Sequence, residues 1–199
     1  MNSPQDIKVA VFASGAGSNT QKILHYFKNH SRIKIALIVC NRSKAGVLDI
    51  ANKETIPTLL IEKSVFEETG YVPELQSFGI HFIVLAGFLW KIPPVLIQHY
   101  PENIINIHPA LLPSFGGKGM YGMAVHQAVL EAKEKESGIT IHFVDEIYDN
   151  GKIIFQAACP VELDDTPESL AQKIHHLEHT HYPVEIEKLV EKAFGSLGE

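Results

Sequence analysis

The sequence predicts an α/β fold: a Rossmann-like, mostly parallel sheet with helices on both faces, a hairpin-like strand pair near the C-terminus and a long C-terminal helix. Three observations point there. Short β-branched apolar runs alternate with segments of helical spacing. The first run ends in the glycine-rich turn Ser14-Gly15-Ala16-Gly17-Ser18-Asn19. The run His81-Phe82-Ile83-Val84-Leu85-Ala86 is apolar nearly throughout, as a central strand covered on both faces must be.

Taken in order, residues 7–13 read as a strand, and 19–29 carry helical spacing through Ile23, Leu24 and Phe27. A second buried strand over 33–40 and a short helix over 45–53 complete a βαβ unit. A third strand spans 58–61, and 64–78 is helix-compatible but broken by Gly70 and Pro73. The apolar strand 81–86 belongs mid-sheet. Pro93-Pro94 opens a short helix through His99, and 103–107 is the next strand, running into His108-Pro109 where proline holds the chain extended. Residues 109–122 carry four glycines and two prolines and read as a long loop. A helix over 123–136 and strands over 139–144 and 152–159 follow. The Asp149-Asn150-Gly151 turn signature makes the last two strands a hairpin candidate. Thr166 caps a final helix with Pro167 in its first turn, reaching about Phe194 with an interruption expected at Pro183. No repeat or linker appears, so residues 1–199 read as one domain, with a phosphate-binding half over 1–100 and a catalytic half over 101–199.

Charge and composition narrow the function. The 199 residues carry 17 Lys+Arg against 23 Asp+Glu, a formal net charge of −6, so no broad basic field exists for a nucleic-acid backbone. The longest apolar run, from Phe82 to Trp90, contains Gly87 and is less than half of the ~20 residues that cross a bilayer. The N-terminal six residues lack the basic start and apolar stretch of a secretory signal, so a cytoplasmic location is expected. Cys40 and Cys159 have no C-x-x-C partner and read as reduced thiols. The 11 histidines would reverse the sign of the net charge if all were protonated.

The first strand-to-helix turn is built for an anion, because glycines let backbone amides approach it and the helix start favours negative charge. The pattern stops at G-x-G, with Thr20 where a dinucleotide fingerprint has its third glycine, so a single phosphate fits better. Against this, Arg42 and Ser43 after the second strand could hold a ribose 2′-phosphate, and an NADP-dependent reductase stays a rival. A solvated loop is the plainer reading of Arg42 and Lys44.

Asn106 and His108 lie two apart at the carboxyl end of a strand, so both side chains point the same way. Ligands of open parallel sheets collect there, beside the phosphate loop and the glycine-rich loop. Asp149 is the chemical partner for His108, since a nearby carboxylate favours imidazolium and would raise its pKa. Asp145 and Glu146 compete for that role on spacing alone.

These residues fall in blocks that resemble a known family, the phosphoribosylglycinamide formyltransferases, folate-dependent transformylases of purine synthesis. The blocks are Ser14 to Asn19; Val84-Leu85-Ala86-Gly87-Phe88; Asn106-Ile107-His108-Pro109-Ala110-Leu111-Leu112-Pro113; Gly138 through Val144 with Asp149-Asn150-Gly151; and Glu178-His179 with Tyr182-Pro183. They cover nearly the whole chain.

The resemblance implies transfer of a formyl group from 10-formyltetrahydrofolate to the amine of glycinamide ribonucleotide. Asn106, His108 and Asp149 fall on the family's catalytic trio. Gly17, Ser18 and Asn19 would hold the substrate phosphate, with His175 beside it and Glu178 on the ribose hydroxyls. The folate would lie against Leu85, Phe88, Leu89, Ile92, Ile97, Ile104 and Val144, with backbone from Asp145 to Asp149 reading the pterin edge and residues 101–199 forming the folate-binding half. His126 matches a family histidine, with anchoring the loop as good an account as catalysis. Partners are then small molecules, with no nucleic acid, membrane or metal expected; a homodimer stays open.

Trp90-Lys91 stands where many members have Arg-Ile, which leaves the folate tail contacts open, and the loop over 114–122 is longer than the common version. A sugar-nucleotide N-formyltransferase or a formyltetrahydrofolate hydrolase shares the chemistry; a methionyl-tRNA enzyme would need a further domain and a basic surface. His175, His176, His179 and His181 invite a metal reading by i, i+4 spacing, but Glu178 does not give the H-E-x-x-H order.

Overall fold

Seven strands, β1 (Ile7–Ala13), β2 (Ile33–Cys40), β3 (Thr58–Leu60), β4 (Phe82–Leu85), β5 (Ile104–His108), β6 (Glu136–Phe143) and β7 (Ile153–Pro160), join in one sheet. The computed structural model describes residues 6–195, so the signal reading of residues 1–5 lies outside the described residues. The strand order is β3-β2-β1-β4-β5-β6-β7, with β4 in the middle as its apolar run requires. All pairs among β1 to β5 are parallel, whereas β6 runs antiparallel to β5 and β7.

Period-two alternation gives each face its own core. Val9, Val11 and Ala13 of β1 point to the face covered by α1 (Ser18–Phe27), α2 (Gly46–Lys53), α6 (Met123–Glu131) and α7 (Pro167–Phe194). Ala10 and Phe12 point to the face covered by α3 (Lys63–Thr69), α4 (Val72–Ser77) and α5 (Pro94–His99). The Phe12 ring meets the Phe88 ring edge-on at 5.4 Å, closing the second core beneath the carboxyl ends of β1 and β4. The chain leaves β1 toward one edge of the sheet and β4 toward the other. The crevice between their carboxyl ends is the switch point where α/β sheets bind ligands.

The expected elements are present, with four adjustments. The helix begun at Met123 stops at Glu131, because Lys133 turns left-handed (φ 56) and Glu136 already pairs with Pro160 in β6. The fifth strand is Ile104–His108, one residue later than expected, and His108 pairs with Thr140. β6 and β7 do form a hairpin, but residues 144–152 connect them, and Gly151 lies so close to the Phe143 carbonyl that no Cβ fits. The last helix runs through Pro183 without a break. Proline in a helix interior costs about 3 kcal/mol, and burial of Tyr182, Ile186 and Val190 around it offsets that.

The Tyr182 hydroxyl, fully buried, donates to the Leu85 carbonyl at 2.9 Å, and the Ile105 carbonyl lies at 3.5 Å. This ties α7 to the ends of β4 and β5.

Candidate active site

A cleft of about 570 Å³ opens at the carboxyl ends of β1, β4 and β5. One end of it is the turn from β1 into α1. Gly17 sits there at φ 83, and an added Cβ would lie 2.9 Å from the Val47 Cβ, so both its backbone angle and its packing require glycine. No side chain caps α1 and its first turn carries no acid, which leaves its amides available to an anion. Asn19 Nδ2 donates to Glu178 Oε2 at 2.9 Å, joining this turn to α7. Burial raises the Glu178 pKa, against the lowering effects of the Asn19 hydrogen bond and of His175.

The other end is built from β5, β6 and the hairpin connection. Asn106 opposes His142 across the β5–β6 ladder. His142 Nδ1 donates to the Phe143 carbonyl at 2.8 Å, so its Nε2 accepts from Asn106 Nδ2 at 3.2 Å. The second hydrogen of the Asn106 amide reaches Asp149 Oδ1 at 3.4 Å. His108 Nδ1 lies 3.5 Å from Asp149 Oδ2, which also accepts the Gly117 amide at 2.9 Å. His108 Nε2 donates to the Phe115 carbonyl at 2.8 Å. The glycine-rich loop over 109–122 thus touches both His108 and Asp149. Its root is held by Thr140, whose hydroxyl donates to Ala110 O at 2.7 Å and accepts from Leu112 N at 2.9 Å.

The electrostatics correct one expectation. Asp149 does push the His108 pKa upward, but burial outweighs it and the net direction is down. Burial pushes Asp149 up, yet the His142 and His108 rings and the Gly117 amide together leave it below the ordinary carboxylate range. The site at neutral pH is therefore an ionised Asp149 beside a neutral His108 that keeps its Nε2 proton.

Asn106, His108, Asp149, Gly17, Ser18, Asn19, His175 and Glu178 all line this one cleft, as do Leu85, Phe88, Leu89, Ile92, Val144 and Asp145. Ile97 and Ile104 do not. Both belong to the core around Phe12, because Ile104, on the same β5 face as Asn106 and His108, sits at the start of the strand beneath them and α5 packs Ile97 against the sheet. The Asp145 carboxylate accepts from Ile147 N and Asn150 Nδ2, so it shapes the 144–152 connection. His126, buried on α6, lines the cleft with its pKa pushed down to about 4 by burial, then by His175 and His108. Trp90, Lys91 and Tyr148 line both the cleft and an adjoining groove of about 430 Å³ that continues to Lys63 and Phe66.

Sequence reasoning missed His142. Alternation puts it on the face of Thr140, but its meeting with Asn106 depends on the register of an antiparallel pair, which spacing within β6 does not reveal. The histidines near the C-terminus do not converge on an ion. The His175 and His179 rings lie parallel at 6.1 Å, whereas the His181 ring packs on Phe155 at 4.9 Å. Elsewhere His30, Glu187 and Glu191 come together, but His30 Nδ1 accepts the Arg32 and Ile33 amides, so Nε2 carries the proton that it gives to Glu187 and has no lone pair for a metal.

Comparison with known proteins agrees with this geometry. The formyl transferase family model matches residues 7–186. A chloroplastic phosphoribosylglycinamide formyltransferase of Arabidopsis thaliana is 45% identical over 186 residues, covering 90% of this chain and 64% of the plant protein, so the chain spans under two thirds of that relative. The Bacillus subtilis (strain 168) phosphoribosylglycinamide formyltransferase is 39% identical over 92% of this chain and 94% of its own length. The crystal structure of glycinamide ribonucleotide transformylase 1 from Geobacillus kaustophilus superposes with a TM-score of 0.85 at 35% identity, covering 94% of this chain and 100% of that one. No helix among the described residues is long and apolar enough to cross a membrane. With the matched segment reaching from β1 into α7 and holding every residue of the cleft, the chain belongs to the formyl transferase family.

Proposed function

We propose that the protein transfers the formyl group of 10-formyltetrahydrofolate to the primary amine of glycinamide ribonucleotide. The observation that carries the reading is the pairing, in one cleft, of an uncapped glycine-rich helix start with the Asn106, His108 and Asp149 cluster. The first suits a phosphate. The second suits attack of an amine on a formyl carbon.

Between them lies the apolar wall of Leu85, Phe88, Ile92 and Val144, which fits a flat pterin ring, while the backbone of the 144–152 connection offers polar groups to the ring edge. The tail of the donor leaves along Trp90 and Lys91. At the phosphate end Ser18 and Asn19 orient the ester, His175 stands beside it, and Glu178 accepts from the ribose hydroxyls.

The amine attacks the carbonyl carbon and the carbonyl electron pair moves onto oxygen. Asn106 supplies one N–H donor to that oxygen, and His108 supplies the other as its Nε2–H turns from the Phe115 carbonyl, each worth about 10²–10³ in rate. The 3.4 Å Asn106 to Asp149 bond is the longest in the cluster and is the one that yields to the developing charge. Asp149, ionised and acceptor-only, takes the proton that the attacking nitrogen sheds, directly or through a water. That proton then goes to the folate nitrogen as its bond to the formyl carbon breaks. Because His108 is neutral it acts as a hydrogen-bond donor and not as a cation.

Steady-state formyl transfer from 10-formyltetrahydrofolate, followed by absorbance of the deformylated folate with and without glycinamide ribonucleotide, tests it. Turnover that requires the amine is expected; folate release without amine would replace the reading with a hydrolase.

A further inference from the structure

Resting on that reading for the identity of the ester, we propose that Arg42 recognises the substrate phosphate, its guanidinium closing over the anion that the α1 amides hold from below. Arg42 lines the cleft beside Ser14 to Asn19, and no ion pair among the described residues includes it. Its backbone is held on three sides. Arg42 N donates to Cys40 Sγ at 3.4 Å, and the Arg42 carbonyl accepts both the Cys40 thiol at 3.3 Å and the Ala45 amide at 3.2 Å.

The segment after Arg42 is fitted onto the phosphate turn itself. Val47 N donates to Gly15 O at 3.2 Å, and a Cβ on Gly46 would lie 3.2 Å from the Ala16 carbonyl. Arg42 is thus fixed relative to the very amides that would bind the ester.

Charge favours such a residue. The amides are neutral, the Glu178 carboxylate faces the same end of the cleft, and the chain carries a net charge of −6. A phosphate ester dianion placed there beside the Glu178 carboxyl gains from a full positive charge that the amides do not supply. The remaining lysines of the lining, Lys91 and Lys118, belong to the segment after β4 and to the loop that docks on Asp149. Between β2 and α2, the stretch that packs against the phosphate turn, Arg42 lines the cleft where Lys44 does not, and a planar guanidinium matches phosphate oxygens two at a time.

With Arg42→Gln, KM for glycinamide ribonucleotide should rise roughly tenfold to a hundredfold while kcat stays within about twofold, the pattern of a group that binds ground and transition states alike. Arg42→Lys, with the charge but not the fork, should fall between. The affinity for inorganic phosphate, titrated calorimetrically without turnover, should drop with KM. Glycinamide riboside, which lacks the phosphate, should show the same KM with wild type and variant. An unchanged KM for the ribonucleotide, or an equal loss with the riboside, overturns the assignment. If wild type transfers no formyl group but loses phosphate affinity on Arg42→Gln, the transferase reading fails and the phosphate assignment stands.

Discussion

Gly117 donates its backbone amide to Asp149 Oδ2 at 2.9 Å, so the carboxylate at the centre of the site also fastens the glycine-rich loop. Charge and anchorage meet in one side chain, and they can be separated. Asp149→Asn keeps an oxygen for the Gly117 amide but cannot accept a proton, and kcat should fall by about 10²–10⁴ with the loop still docked. Asp149→Ala should lose both, with greater protease sensitivity within 109–122. Equal protection of the two variants in limited proteolysis would show that the loop does not depend on this bond.

The pH profile follows from the directions of the shifts. His108 titrates below the ordinary imidazole range and Asp149 below the ordinary carboxylate range, so both hold their working states throughout neutral pH. An α-amino group ordinarily titrates at about 8, so the acid limb of kcat/KM should follow deprotonation of the substrate amine. His108→Ala should lower kcat by about 10²–10³ without moving that limb. An acid limb that shifts on replacing His108 would mean that the imidazole acts as a cation.

His142 acts through Asn106 and so is a positioning residue. His142→Phe removes the acceptor of one amide hydrogen, leaving a half-buried donor unpaired at a cost of about 1 kcal/mol. The expected result is a kcat loss of roughly tenfold to a hundredfold with both KM values nearly unchanged, because a misplaced Asn106 fails the oxyanion and not the ground state. A change confined to thermal stability would reduce His142 to packing.

The start of α7 is secured by a reciprocal cap, in which Ser169 N donates to Thr166 Oγ1 and Thr166 N donates to Ser169 Oγ. Thr166→Ala should cost about 1 kcal/mol in chemical denaturation. Asp165 beside it is held down to about 2 by the Lys173 and Ser169 hydrogen bonds. A carboxyl pKa depressed on folding stabilises above its unfolded value near 4 and ceases to do so as pH falls toward 2. Wild type should therefore lose stability between those limits more steeply than Asp165→Asn, a difference readable in acid-titrated melting curves.

Legibility in the sequence tracks how local the cause is. The strand from Ile7 to Ala13, the turn at Gly17 and the Thr166 cap follow from neighbours in the chain, and all are where spacing puts them. Asn106 and His108 were readable as a pair because alternation along one strand suffices. Asp149 was readable as a partner for His108 by its chemistry, but only the family resemblance separated it from Asp145 and Glu146, and the fall of the His108 pKa was not readable at all, since burial is a property of the whole assembly. Ile104 and Ile97 are apolar like their neighbours in the cleft; only the depth of Ile104 along β5 and the packing of α5 place them in the core.

Tyr182 joins α7 to the backbones of β4 and β5, and Glu178 and His175 ride on the same helix while Asn106 and His108 ride on β5. The two ends of the cleft cannot slide apart without breaking a fully buried bond. The protein is in that sense a gauge. On the proposed reading, a ribonucleotide whose amine stood one bond nearer to or further from its phosphate could settle at the glycine turn and still present nothing to the formyl carbon, so selection would operate by length before any group on the sugar was consulted.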